Sequence, residues 1–363
     1  TIALMALGRL NMKQEKWAEA ENNFRNTIEY DASYIAAYKG LISTYEVRNE
    51  DQKIIAEIKN LPQSKTNATA ATVLAEYYIR QNNMDEAATY LQEAMGFEPI
   101  SSYTQNIGII VYKNMAVKAA NNKDFETARK NIAKALNLAP DSDRLLNDLI
   151  SIELKAQRFD EAQKIVDQVI ASNSHKGSDA TTDFFQGRVY LAQNRLPEAI
   201  SSFRNSFDAL PNRTVASQIY RALQRKASDG DSGDVYAFVD EWQRRLPMDT
   251  QPLLIKATQK QVSGEKEKAA SLYEKALEIN PDNVTALNNL AWLHFENKDP
   301  RSRPLAEKAA KSSPSNAGVL DTYGWILMHE GEVEEGLKIL ERALELAPNN
   351  DDIQSHVNIA RTM

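Results

Sequence analysis

The chain has 363 residues, 42% hydrophobic and 26% charged, with 43 basic against 50 acidic side chains and a formal charge of -7. That balance lacks the basic face a nucleic-acid binder needs, and the absence of cysteine excludes disulfides, thiolate chemistry and cysteine-built zinc sites. No apolar run approaches the roughly 20 residues that span a bilayer, and 13 glycines with 12 prolines leave little room for long linkers.

Small and apolar residues recur at helical spacing, in paired segments, with a period of about 34 residues. The opening TIALMALGRL reads as the interior of a helix, and so as a fragment or processed form. The first unit gives Leu4, Leu7, Gly8, Ala20 and Phe24. The second, from Ile35, is degenerate, with Tyr38, Leu41, Tyr45, Ile54 and Ile58. The third, from Ala68, gives Leu74, Ala75, Tyr78, Ala87, Leu91, Ala94 and Pro99. Pro99 and Pro140 then stand 41 residues apart, about seven more than the period. The surplus around Ile100 to Gly108 reads as a longer loop or an extra helical turn.

The fourth unit gives Tyr112, Met115, Ala116, Ala128, Ile132, Ala135 and Pro140. The fifth gives Leu146, Leu149, Ile150, Ala162, Val166 and Val169, and ends at the polar break Asn173 to Gly177. The sixth gives Gly187, Tyr190, Ala199, Phe203 and Pro211. The seventh carries a polar insert, Ser228 to Gly233, between Leu223 and Val235. The eighth runs through Leu253, Ala257, Gly264, Ala269, Tyr273 and Pro281, and the ninth through Leu287, Leu290, Ala291, Ala306 and Pro314. The tenth, Ala317 to Asn350, is the most regular: Leu320, Tyr323, Gly324 and Leu327, a turn at Gly331, then Gly336, Leu340, Ala343 and Pro348.

Units are thus expected to begin near 1, 35, 68, 109, 143, 180, 214, 250, 284 and 317, as one continuous array over 1–350. Residues 351–363 read as the start of a further helix or a cap. Seven of the 12 prolines fall at the same unit position, where each ends a second helix because it lacks an N–H. Asp141-Ser-Asp, Pro281-Asp-Asn and Ser313-Pro-Ser-Asn place capping side chains before the next first helix. Small residues such as Gly8, Ala75, Gly187 and Gly324 let paired helices approach, and aromatics such as Phe24, Phe203 and Tyr273 fill the space between units.

This pattern resembles the tetratricopeptide repeat (TPR), carried by Leu320, Tyr323, Gly324, Leu327, Gly336, Leu340, Ala343 and Pro348 in the last unit. The resemblance implies an all-α, right-handed superhelical α-solenoid of about ten helix-turn-helix units. It implies a non-catalytic scaffold that holds a protein or peptide in a concave groove lined by first helices. Within units eight to ten, NNLAWL and LDTYGW are similar to C-terminal repeats of bacterial cell-envelope TPR proteins, including those of exosortase (PEP-CTERM) exopolysaccharide systems. A role in envelope or exopolysaccharide secretion assembly, on the periplasmic side, is expected from that likeness. A cytosolic adaptor or co-chaperone-like regulator is the alternative.

If first helices face the groove, positions 2, 5, 6, 9, 12 and 13 of each unit are candidate contacts. Units nine and ten then present Asn288, Asn289, Trp292, Asp321, Trp325 and Met328. Amides bond a peptide backbone and indoles give flat apolar area, although both tryptophans also fit core positions between units. The sixth unit offers Phe184, Phe185 and Arg188. Adjacent residues point about 100° apart on a helix, so one phenylalanine is expected in the groove.

Other features read as structural. Lys39 and Lys113 suggest the carboxylate clamp of chaperone-binding TPR proteins, but Ser43 and Val117 stand where that clamp needs partners. Asp229 to Asp234 lacks the spacing and terminal glutamate of an EF-hand. His175, His294, His329 and His356 have no paired ligand spacing, so no metal or cofactor is expected. Sequons at Asn67, Asn212 and Asn283 occur at a chance frequency. No acid–base or nucleophile constellation marks an enzyme.

Overall fold

The computed structural model describes residues 1–61, 68–172, 179–227 and 233–362. Among these the fold is all-α, with twenty-one helices and no strand. The polar break at 173–177 with His175, the insert at 228–232 with the Asp229 loop, and the Asn67 sequon lie outside the described residues. The chain divides into two compact units, Thr1–Asn194 and Arg195–Met363.

The first unit holds α1 (Ile2–Lys13), α2 (Trp17–Tyr30), α3 (Ile35–Val47), α4 (Asp51–Asn60), α5 (Thr69–Arg80), α6 (Met84–Ala94), α7 (Ser102–Asn121), α8 (Phe125–Leu138), α9 (Asp143–Lys155), α10 (Phe159–Ser172) and α11 (Asp179–Ala192). The second holds α12 (Leu196–Ala209), α13 (Arg213–Lys226), α14 (Gly233–Arg245), α15 (Gln251–Val262), α16 (Lys266–Ile279), α17 (Val284–Glu296), α18 (Ser302–Ser312), α19 (Ala317–His329), α20 (Val333–Leu346) and α21 (Asp351–Ala360).

The turns inside the hairpins share one backbone device. Glu15, Asn49, Asn82, Lys123, Gln157, Lys298, Gly264 and Gly331 all have positive φ. The residue after each donates its N–H to a carbonyl five positions back. Lys16 bonds Asn11 at 2.9 Å, Arg158 bonds Glu153 at 2.9 Å, Asp299 bonds His294 at 2.8 Å and Glu332 bonds Leu327 at 3.0 Å. This Schellman geometry satisfies an orphan carbonyl while reversing the chain. First helices start from side-chain caps. Ser142, Asn283 and Asn316 accept from the backbone N–H of Leu145, Ala286 and Val319. Asn212 caps α13 in the same way and also donates to the Leu210 carbonyl at 3.1 Å, while Asn283 donates to Thr250 at 3.1 Å. Both sequon amides are therefore engaged in holding helix starts.

Packing follows from the small positions. In the first unit Phe24 of α2 lies between Gly8 of α1 and Gly40 of α3, and a Cβ on either glycine would come within 2.5 or 2.7 Å of its ring. Phe24, Tyr38, Leu41, Ile54, Leu74 and Leu91 belong to one core that runs from α1 to α7. In the second unit a Cβ on Gly336 of α20 would sit 2.7 Å from the Gly324 carbonyl of α19. That contact permits Leu340 to pack with Met328 and with Val357 of α21.

One helix start differs from expectation. α7 begins at Ser102 rather than near 109, and runs for 20 residues. The surplus is continuous helix because its extra turns are buried. Ser101 caps Thr104, Thr104 is fully buried against the Thr72 hydroxyl at 2.9 Å, and Ile107 and Gly108 are buried as well.

A side chain with a Cβ loses about 1 kcal/mol or more in the left-handed region, and glycine does not. No atom would touch a Cβ at Gly331, so the effect there is purely conformational. Gly331→Ala should lower stability by about 1 kcal/mol, and Lys123→Gly should raise it by about 0.5 kcal/mol. Urea midpoints of the two variants check both signs.

Candidate ligand grooves

In the first unit, exposed sides of α7, α9 and α11 line a cavity of about 460 Å³. Val117, Ala120 and Asn121 come from α7. Asp148, Ser151, Ile152 and Lys155 come from α9, and Arg188 from α11. Arg188 is half-buried and locked onto α9. Its Nη1 donates to the Asn147 carbonyl at 3.2 Å and to the Asn147 side chain, and its Nη2 donates to Ser151 at 2.9 Å. The Phe184 ring lies 6.0 Å from the guanidinium. Burial holds the Arg188 pKa below its ordinary value, with Asp148 opposing that shift.

One candidate groove residue needs correction here. Phe185 is 2% exposed and packs with Ile150, Ala162, Val166 and Val189 in the core, so it cannot meet a groove ligand. Phe184 is half-buried at the edge of the same cluster. The lysines of the rejected clamp are both committed elsewhere: Lys113 pairs with Asp148 at 2.9 Å and Lys39 with Glu76 at 2.7 Å.

The sequence reading named Arg188 but missed its neighbours. Counted from the unit start at 143, Asn147, Asp148, Ser151 and Lys155 occupy positions 5, 6, 9 and 13. Counted from 109, Val117 and Asn121 occupy positions 9 and 13. The position rule applied to units nine and ten would have found them in units four and five.

Behind this groove lies a buried acid. The Glu153 side chain is 1% exposed, with Arg129 Nε at 3.1 Å and Arg158 Nη1 at 3.9 Å. Burial raises its pKa above the carboxylate value of 4.5, and the two arginines oppose the rise.

In the second unit the other candidates lie on α17 and α19. Trp292 and Trp325 are both half-buried. They are linked through a relay of rings: Trp292 to Phe295 at 5.7 Å, Phe295 to His329 at 5.3 Å, and His329 to Trp325 at 4.4 Å between centroids. The relay ends on α21, where His356 lies 3.9 Å from the Trp325 ring. His356 Nδ1 also bonds Asp321 at 2.8 Å. The Asp321 side chain is only 14% exposed, and burial raises its pKa while His356 pulls it down. Asp321 and Trp325 therefore seat the last helix, and Trp325 packs with Met328, Leu340 and Val357. Met328 is 1% exposed, so it is core and offers no groove contact. Asn289 donates to the Tyr273 hydroxyl at 3.0 Å, and Asn288 donates to Asn289 at 3.4 Å. Helical periodicity had no means of showing that a histidine 35 residues from Asp321 would land on both Asp321 and Trp325.

Three sequence models, each of the tetratricopeptide repeat, match the chain: one at residues 68–100 and 317–350, one at 119–177 and one at 272–302. These matches to tetratricopeptide repeat models fall in both units of the chain. No curated protein matches it significantly. Among solved structures, the P58(IPK) TPR domain is 14% identical, covering 99% of this chain and 97% of that one, with a TM-score of 0.36. Yeast Tom70 is 14% identical over 96% of this chain and 77% of that one, at 0.38. MamA from Desulfovibrio magneticus RS-1 is 19% identical over 40% and 84%, at 0.35. Among the described residues no helix is long and apolar enough to cross a membrane.

Two predictions follow from these sites. Because the folded pKa of Glu153 is raised, its ionised form costs stability, and that cost disappears as pH falls toward the unfolded value near 4.5. The stability of Glu153→Gln relative to the parent should therefore climb as pH rises above 4.5, then level off beyond the raised folded pKa, read from urea midpoints across pH. Separately, Trp325→Ala should cost about 3 kcal/mol by unseating α21. Trp292→Ala should cost about half that, since among the described residues its ring contact is with Phe295. Thermal melts of the two variants, with the α21 amides followed by hydrogen exchange, separate the effects.

Proposed function

We propose that the chain is a protein-interaction scaffold whose first helices hold an extended segment of a partner. The observation that carries this reading is the cavity between α7, α9 and α11. It joins apolar walls to a fixed guanidinium, an amide and a hydroxyl. Fixed polar groups on packed helices cost little ordering entropy when a peptide docks. The repeat architecture supports the same reading. A second contact surface is proposed on α17, where Asn288, Asn289 and Trp292 share one helix, with Asp321 and Trp325 of α19 as further candidate contacts.

Our finer proposal places the scaffold in assembly of a bacterial envelope or exopolysaccharide secretion system, on the periplasmic side. Its support is the similarity of NNLAWL and LDTYGW to repeats of such proteins. The second reading is a cytosolic adaptor. Fractionation of source cells with an antibody to this chain separates them: recovery with the cytosol alone rejects the envelope role.

Val117 is 48% exposed at the mouth of the α7–α9–α11 cavity. Val117→Arg should block the groove without loss of fold. Peptides selected from a random library on the intact chain should lose at least tenfold in affinity for this variant, measured by fluorescence polarisation. Unchanged affinity across the selected set rejects this groove as the docking site.

A further inference from the structure

Arg188 has an unfilled edge. Its Nη1 is spent on Asn147 and one Nη2 proton on Ser151. Its Nε has no acceptor among the described residues, and no carboxylate pairs with it there. Asp148, the acid whose field it feels, is already paired with Lys113. Lys155 lines the same cavity, exposed and without an ion-pair partner among the described residues. The lining acid is thus neutralised, and two lining cations are not.

We propose that this groove takes the side-chain carboxylate of an acidic residue within an extended peptide, on the Nε and Nη2 edge of Arg188. The proposal rests on the scaffold reading above. Two parallel N–H groups on one planar edge match the two oxygens of a carboxylate. Lys155 adds a second charge at the rim. Val117, Ala120 and Ile152 form the apolar wall that receives an aliphatic neighbour of the acid. A peptide carboxyl terminus is not required, since the lysines that would clamp one are held by Asp148 and Glu76.

The test uses random dodecapeptides displayed as N-terminal fusions, so that no free carboxyl terminus is offered, panned on the intact chain. Selected sequences should be enriched in Asp or Glu beside an aliphatic residue. A selected peptide, synthesised with blocked ends, should lose about tenfold in affinity when its acid becomes the amide, which corresponds to about 1.4 kcal/mol. The same loss is expected with Arg188→Lys, and a two- to threefold loss with Lys155→Gln, each with an unchanged circular dichroism spectrum. If the Arg188 variant fails to fold, the amide peptide and Lys155→Gln decide the matter. Peptides that Val117→Arg excludes, but that show no acidic preference and ignore both cation variants, overturn this inference and leave the scaffold reading standing. Selection of no peptide sensitive to Val117→Arg overturns both.

Discussion

The backbone bond that closes eight of the hairpins among the described residues constrains the rest of the fold. It runs from the N–H just past a left-handed residue to a carbonyl five positions earlier. With the reversal fixed, the second helix returns along the first at one register. Only then do the small positions face one another. Gly324 and Gly336 touch backbone to backbone, and Phe24 fits between Gly8 and Gly40. A hairpin so closed still shows an apolar side. It becomes stable by packing on its neighbour, which is why the cores run across successive hairpins.

The same constraint sets what the groove offers. Successive first helices repeat their orientation within a unit, so equivalent positions line up as rows. In the α7–α9–α11 groove those rows hold an apolar side chain, an amide, a hydroxyl, a lysine and a guanidinium. The Arg188 contacts are to α9, one hairpin earlier. A residue that belongs to one repeat is thus aimed by the next one back. Glu153 lies behind the same surface, with its arginines drawn from α8 and the turn before α10. Charge balance in this region is shared between repeats rather than settled within each.

Periodicity carried much of the helical pattern in the sequence, because proline, glycine and cap positions act locally. Ser142, Asn283 and Asn316 cap as their positions in the sequence imply. The turn conformation was legible only where glycine marks it. Lys123 and Gln157 take the same conformation against their own preference, since the two packed helices impose it. The extra turns of α7 were ambiguous for a related reason: their burial comes from Thr72, Leu91 and Leu138, all distant in sequence. At the candidate sites, residue type suggested Arg188 and Trp325. Their partners are fixed by tertiary neighbours that a helical wheel does not contain.

The asparagine caps have a consequence for how such a chain changes length. Asn283, Asn316 and Asn350 each open a first helix with the same side-chain bond, and each follows a turn of similar shape. A deletion of 284–316 joins Asn283 directly to Ala317. The new junction has a cap of the same kind, and the helix after it begins in phase. The join leaves no orphan amide at the helix start. Gain or loss of whole units at these points should keep every cap, while a cut of any other length should strand a cap or shift the small residues off their partners. Growth and shrinkage of the array are quantised by an asparagine side chain.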